Sequence, residues 1–150
     1  MEADLDMLES ALGYFIKATS RQQYWETIQR SASVEIDRPS AHLLITLSGD
    51  DAGEYRLHAL ATKLGVEAPS VSRVVHRLEQ DKLVVRLADP TDGRASCLRL
   101  TRKGQRTIAR IRRAKRQRLA ALFAGWSAAD RKQLARLLDR LARCAAESAS

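Results

Sequence analysis

The segment from residue 69 to residue 80 carries side chains that could contact a phosphate group or the edge of a base. Four apolar residues recur in it at helical spacing and define a buried face: Val71, Val74, Val75 and Leu78. The opposite face and its flanks then present small, polar and basic residues: Pro69, Ser70, Ser72, Arg73, His76, Arg77 and Gln80. Short hydroxyls allow close approach to a DNA major groove, and arginines pair with phosphates or guanine edges. An ordinary solvent-exposed helix face is the alternative interpretation.

A second polar cluster lies on a turn within ADPTDGRASCLRLT, residues 88–101. Pro90 and Asp92 favour a turn, and Arg94 stands just beyond it. Alternating apolar residues on either side predict two strands, with Val85 and Leu87 on the first and Leu98 and Leu100 on the second. An arginine on such a hairpin can reach a narrow minor groove, where negative potential is concentrated. A turn carboxylate at position 92 and a solvated charge at position 94 are the alternative.

Two short helices would hold the first cluster at the surface. LHALATKLG predicts a helix with Leu57, Leu60, Ala61 and Leu64 inward and Gly65 at its end. The turn GVEAP leads into the second helix, with Pro69 near its start. Two helices joined by a short glycine-containing turn form a helix-turn-helix, and the hairpin after them would be its wing.

Longer amphipathic helices flank this unit. Residues 4–30 carry an apolar stripe: Leu5, Leu8, Leu12, Phe15, Ile16, Trp25 and Ile28. A further helix opens near Pro39, Thr101 can cap one over about 102–124, and SAAD at 127–130 opens the last, with Leu134, Leu137, Leu138 and Leu141. The first and last stripes exceed what one small DNA-binding domain needs, which predicts a homodimer.

The predicted fold is therefore mainly α with a small two- or three-stranded β-wing. We expect a single domain over residues 1–150. Its winged helix-turn-helix lobe would cover about 55–104, and its dimerisation helices about 5–48 and 105–147.

Charge and composition favour a partner that is a polyanion. The chain has a net charge of +8 and a pI near 10.1, with 45% apolar and 29% charged residues, so it is not disordered by composition. Nucleic acid is the first expectation and an anionic membrane surface the second. No apolar run is long enough for a membrane span and the N-terminus is acidic, so we predict a cytoplasmic protein. In the basic run that follows the hairpin, Arg102, Lys103 and Arg106 could touch phosphates, and the arginines beyond residue 110 are expected to be solvated.

Catalytic and metal-binding patterns do not stand out. No nucleophile triad, phosphate loop or paired-carboxylate motif is present, so we predict no enzyme, no catalytic residue and no cofactor. His42, His58 and His76 share no ligand spacing, and Cys97 and Cys144 form no CxxC, so no metal site is predicted. Cys97 is expected to be a small buried or half-buried strand residue.

The order of elements resembles the MarR family of transcriptional regulators over roughly residues 5–147. The motif that carries the resemblance is Asp-x-Arg, five residues, then Leu-Thr-x-x-Gly: Asp92, Arg94, Leu100, Thr101 and Gly104. SRVVHRLEQDKLVVR at 72–86 resembles the family's recognition helix and first wing strand. Two departures stand out: Gly93 replaces a frequent basic residue, and Lys82 stands where glycine is common. If residue 82 is left-handed, lysine costs about 1 kcal/mol there.

The resemblance implies a dimeric, ligand-responsive repressor on an inverted-repeat operator of double-stranded DNA. Asp92 would hold a nearby arginine in place. A small-molecule effector would bind between the dimer helices and the DNA-binding lobe, with Tyr14, Trp25 and His42 as candidates, although core packing is the alternative for Trp25. A winged-helix protein-interaction module, a non-specific DNA-coating protein and a small enzyme are the rival functions.

Overall fold

A computed structural model describes residues 2–49, 55–88 and 96–148 and confirms the predicted fold class. In those ranges the helices are α1 (Glu2–Ser20), α2 (Gln22–Ala32), α3 (Arg38–Leu47), α4 (Leu57–Leu64), α5 (Ala68–Gln80), α6 (Arg102–Leu122) and α7 (Ala128–Ser148). The strands are β1 (Tyr55–Arg56), β2 (Val84–Ala88) and β3 (Ser96–Leu100). The chain divides into two compact units, with the boundary between Ala114 and Lys115.

The first predicted helix is in fact two helices. At Arg21 the backbone is extended, with φ −61° and ψ 143°, and this residue separates α1 from α2. The guanidinium of Arg38 donates to the backbone oxygen of Ser20 at 2.8 Å, so a distant residue satisfies the end of α1. The two helices differ in burial: α2 buries Trp25 and Ile28, whereas α1 buries no residue.

The helix-turn-helix forms as predicted. Gly65 ends α4 in the left-handed conformation, with φ +64°, and Pro69 lies in the first turn of α5. The two helices bury the apolar residues that face each other and α3: Leu60, Ala61, Val71, Val75 and Leu78. This packing fixes which face of α5 is left outward.

The wing strands belong to a three-stranded antiparallel sheet in the order β1-β3-β2. In β2 it is Val84, 3% exposed, that enters the core, whereas Val85 is 36% exposed, so the predicted face of this strand is wrong at its start. In β3 both Leu98 and Cys97 are buried, which confirms the expectation for the cysteine. Position 84 pairs with Leu100 and position 88 with Ser96 across the two strands.

A compact hydrogen-bonded junction attaches the start of α6 to the chain between α5 and β2. The hydroxyl of Thr101 accepts from the backbone N–H of Gly104 at 3.0 Å, which confirms the predicted helix cap. The same hydroxyl donates toward the carbonyl of Lys82 at 2.7 Å and lies 3.1 Å from that of Leu83. The Leu83 carbonyl also accepts from the N–H of Thr101 at 3.1 Å. The Leu-Thr-x-x-Gly motif is therefore a structural clamp.

Lys82 adopts the left-handed conformation, with φ +58°. Replacing it by glycine is expected to stabilise the fold by about 1 kcal/mol, because a Cβ is disfavoured at positive φ. Urea unfolding of the Lys82→Gly variant measures this. The control Lys132→Gly, in the right-handed interior of α7, should instead lose about 1 kcal/mol. Equal losses in both variants would contradict the assignment of strain to residue 82.

The second unit contains the end of α6 and α7. Ser127 caps α7: its hydroxyl accepts from the N–H of Asp130 at 3.1 Å and donates to the Asp130 carboxylate at 2.5 Å. The rings of Phe123 and Trp126 meet edge to face at 5.1 Å. No residue of α7 is buried. None of the described helices is both long and apolar enough to cross a bilayer.

Candidate nucleic-acid interface

The outward face of α5 carries the residues that sequence analysis selected. Pro69, Ser72, Arg73, His76 and Arg77 are exposed and Ser70 is half-buried. Because the apolar residues of this helix are 0–2% exposed at positions 71, 75 and 78, a large rotation of the helix would expose its core. The six polar or small residues therefore share one accessible surface, which we call the α5 face.

Local hydrogen bonds organise the α5 face. The guanidinium of Arg73 donates to the hydroxyl of Ser70 at 3.3 Å. The side-chain nitrogen of Gln80 lies 3.2 Å from Nε2 of His76. Both pairs span three or four residues, the spacing at which helical side chains meet. These contacts orient the side chains of Arg73 and His76, which stay exposed to solvent.

Arg77 differs from the rest of the α5 face because it has a partner on another helix. Its guanidinium contacts the carboxylate of Asp37, which also accepts from the N–H of Ser40 at 2.8 Å and so caps α3. Sequence analysis placed Pro39 in the first turn of this helix but missed the cap. The signal was present, since an aspartate just before a helical run with a proline in its first turn is a typical N-cap.

An acidic residue beside the α5 face is also paired. Both oxygens of Glu79 accept from the guanidinium of Arg86 on β2, at 3.3 and 3.2 Å. This bidentate pair balances a carboxylate that would otherwise repel a polyanion near the face. It also links α5 to β2.

The remaining wing residues selected from the sequence, Asp92 and Arg94, lie outside the described residues. The strands that lead to and from their turn are described, and they pair in register from Val84 with Leu100 to Ala88 with Ser96. The role of both residues stays a prediction.

The basic residues of α6 at positions 102, 103, 106, 110 and 112 are all exposed, and three of them also hydrogen-bond other elements. The ammonium of Lys103 donates to the carbonyl of Asp81 at 2.7 Å. Arg110 donates to the carbonyl of Ser33 at 2.7 Å, and Arg112 to the hydroxyl of Ser48 at 2.8 Å. Those two serines end α2 and α3, where a cation offsets the helix dipole. Both side chains remain exposed, as expected for the outer face of α6, and each also hydrogen-bonds the end of another helix.

The structure does not gather the three candidate ligand residues. Trp25 is 4% exposed, donates from Nε1 to the carbonyl of Ile36 at 3.2 Å, and lines a groove of about 1030 Å³ between α2 and the start of α3. Tyr14 is 79% exposed on α1, and His42 is exposed on α3; neither lines this groove. Its polar lining comes from Gln22, Glu26, Gln29, Arg30, Ser33, Glu35, Asp37 and Arg38.

Metal-ligating side chains do not cluster in the part of the chain that the structure describes. Within residues 2–49, 55–88 and 96–148, no three His, Cys, Asp or Glu side chains lie close enough together to hold an ion.

Comparison with known proteins matches residues 36–96 to the MarR family. The HTH-type transcriptional regulator YxaD of Bacillus subtilis (strain 168) is 26% identical over 137 residues, which cover 91% of this chain and 92% of that protein. The family and this relative are transcriptional regulators and not enzymes.

Solved structures share the fold. A MarR family protein from Bacillus stearothermophilus has a TM-score of 0.83 at 23% identity, covering 95% of this chain and 96% of that one. The MepR–DNA complex of S. aureus has a TM-score of 0.66 at 20% identity, covering 89% and 96%. PcaV of Streptomyces coelicolor, in complex with its natural ligand, has a TM-score of 0.61 at 24% identity, covering 89% and 92%.

Proposed function

We propose that this chain, as a transcriptional regulator of the MarR family, is a homodimeric, ligand-responsive repressor of an inverted-repeat operator. The observation that carries the proposal is the α5 face, an exposed row of serine, arginine and histidine beside the wing strands. Such a row suits a major groove, and the wing turn would bring Arg94 to the adjacent minor groove. MepR, which shares the fold, is solved with DNA.

The proposal is tested by comparing the affinity for a candidate operator region with the affinity for random DNA. Fluorescence anisotropy would compare duplex from the region flanking the chain's own coding sequence with random duplex of equal length. A specific regulator should bind a site in the flanking DNA about a thousandfold or more tightly than the random duplex. Equal affinity for both would identify a non-specific DNA-coating protein, and binding to neither would favour a protein-interaction module.

The homodimer is proposed from apolar surface that a single chain leaves exposed. On α1 the side chains of Leu5, Leu8 and Phe15 are more than half exposed, and on α7 those of Leu137 and Leu141 are about half exposed. Soluble monomers rarely leave contiguous apolar stripes of this kind. In addition, α1 holds four acidic residues and one basic, and α7 five basic and three acidic, so α1 of one chain complements α7 of its partner.

Disrupting these stripes should dissociate the dimer. We expect the Leu8→Glu, Leu141→Glu double variant to be a monomer in sedimentation, because it places charges in an apolar interface. Deleting residues 134–150 should likewise give monomers or insoluble chain. Val66→Glu, a change at an equally exposed apolar residue in the turn before α5, is the control and should keep the wild-type mass. A folded dimer in the double variant would place the interface elsewhere.

The effector is proposed to bind in the groove beside Trp25, whose guanidinium and carboxylate groups suit a polar small molecule. PcaV, which has the same fold, is solved with its natural ligand. Tyr14 and His42 lie apart from the groove within one chain and stay candidate contacts only.

Arginines of the two DNA-reading elements should act differently. Arg73→Ala is expected to cost about 1–3 kcal/mol of operator binding and to relax the preference at one position per half-site. Arg94→Ala should weaken binding chiefly at sites with a narrow, A·T-rich minor groove. Competition binding against operator variants measures both. If both variants bind the operator as the parent does, the α5 face is not the recognition surface.

A further inference from the structure

We infer that Asp37 and Arg77 form a positioning pair, in which the carboxylate holds the recognition helix against α3 and Arg77 makes no contact with the DNA phosphates. The inference rests on the proposed DNA-binding function. It assigns a role to Asp37, which lies outside the α5 face, and makes Arg77 a positioning residue rather than a DNA contact.

The carboxylate of Asp37 is fixed by its own helix. Oδ1 accepts from the backbone N–H of Ser40 at 2.8 Å, while Oδ2 meets the guanidinium of Arg77. Each oxygen therefore has one partner, and the two partners belong to different helices. A carboxylate held by an N-cap bond has lost most of its rotamer freedom, so pairing with it costs Arg77 little further ordering.

The chain just before α3 is itself anchored, so the pair attaches α5 to a fixed point. The carbonyl of Ile36 accepts from Nε1 of Trp25 at 3.2 Å and from Nε2 of Gln29 at 2.8 Å. The carbonyl of Ser33 accepts from Arg110 at 2.7 Å. These bonds hold in place the backbone that leads into Asp37.

The pair supplies direction that the core packing of α5 does not. Val71, Val75 and Leu78 hold the helix by apolar contact, which is non-directional and tolerates small rotations. Arg77 and the Glu79–Arg86 pair lie in the last turns of the helix and tie it to α3 and to β2 respectively. Since Arg73 lies one turn before Arg77, a rotation that loosened the pair would also displace the contact we assign to a base edge.

The salt dependence of DNA binding distinguishes a positioning residue from a phosphate contact. Each phosphate contact that is lost lowers the magnitude of the slope of log K against log salt by about one, so losing Arg77 from both subunits would lower it by about two. Loss of a positioning residue lowers the affinity and the base discrimination but leaves that slope unchanged.

The test uses variants of the full-length chain that keep the α3 cap. Asp37→Asn removes the charge and retains an N-cap residue, and Arg77→Gln removes the other partner. Each should weaken operator binding about fivefold with the wild-type salt slope, since two exposed pairs of modest strength are lost per dimer. The double variant should be no weaker than either single one. Arg77→Lys should restore most of the affinity, and Arg113→Gln, an equal charge change at an exposed α6 residue, should change little.

The outcomes separate this inference from the proposed function. If Asp37→Asn binds the operator as tightly as the parent or more tightly, or if Arg77→Gln lowers the slope by about two, Arg77 is a phosphate contact and the inference fails. If the parent shows no preference for any duplex, the proposed function itself fails. Thermal melting checks that each variant is folded. If Arg77→Gln does not fold, the affinity and salt slope of Asp37→Asn carry the test.

Discussion

Replacing Gly104 by alanine is expected to destabilise the protein by about 3 kcal/mol, a large loss for a single methyl group. A Cβ at this position would lie 2.1 Å from the carbonyl oxygen of Leu83 and 3.3 Å from the side chain of Leu100. The carbonyl belongs to the backbone and already accepts from Thr101, so it cannot move aside without breaking the clamp. The first turn of α6 would have to retreat from the wing.

Gly13→Ala is the matched control. It is the same substitution within a helix, and nothing lies within 4 Å of the added Cβ. It should stabilise the chain by about 0.5–1 kcal/mol through helix propensity. Urea unfolding followed by circular dichroism measures both free energies of unfolding. If the two variants are equally stable, the close approach of α6 to Leu83 is not what position 104 requires.

Features encoded by neighbouring residues were predictable from the sequence. The turn between α4 and α5 depends on Gly65 and Pro69, and the orientation of α5 on its own apolar period. The break between α1 and α2 was not predictable in this way. No glycine or proline marks Arg21, and the carbonyl before it is satisfied by Arg38, which lies well along the chain.

The error in β2 has a similar cause. Val84 and Val85 are adjacent and equally apolar, so a five-residue strand offers two registers of alternation. In the folded chain Val84 packs in the core, and no local signal in the sequence distinguishes it from Val85.

Charges were the hardest part of the candidate site to interpret from sequence. Every arginine of α5 and α6 has the same intrinsic preference for solvent, so spacing alone cannot identify those with partners. Arg77 meets a carboxylate 40 positions away, and Arg110 a carbonyl 77 positions away. Only the tertiary fold shows which arginines on these exposed faces reach a partner on another element.

Binding to the operator should be strongly salt-dependent and should span two successive major grooves. If a two-fold axis relates the subunits, their α5 helices enter the DNA about 34–36 Å, or roughly 10 base pairs, apart. The operator should then be an imperfect inverted repeat whose footprint covers roughly 16–20 base pairs once the wing contacts are added. Each half-site would meet cations from Arg73, Arg94 and the exposed start of α6, whereas Arg77 is held by Asp37.

With about six to eight phosphates neutralised per dimer, log K should fall with log salt at a slope of about −5 to −7. Affinity would drop by about a thousandfold or more between about 50 and 200 mM salt. Anisotropy titrations over that range give the slope, and DNase protection gives the footprint. A single protected half-site, or a slope near about −1, would contradict the symmetric arrangement, because one subunit alone presents enough cations to exceed that slope. The exposed stripes of α1 and α7 would then need a partner other than a second copy of this chain.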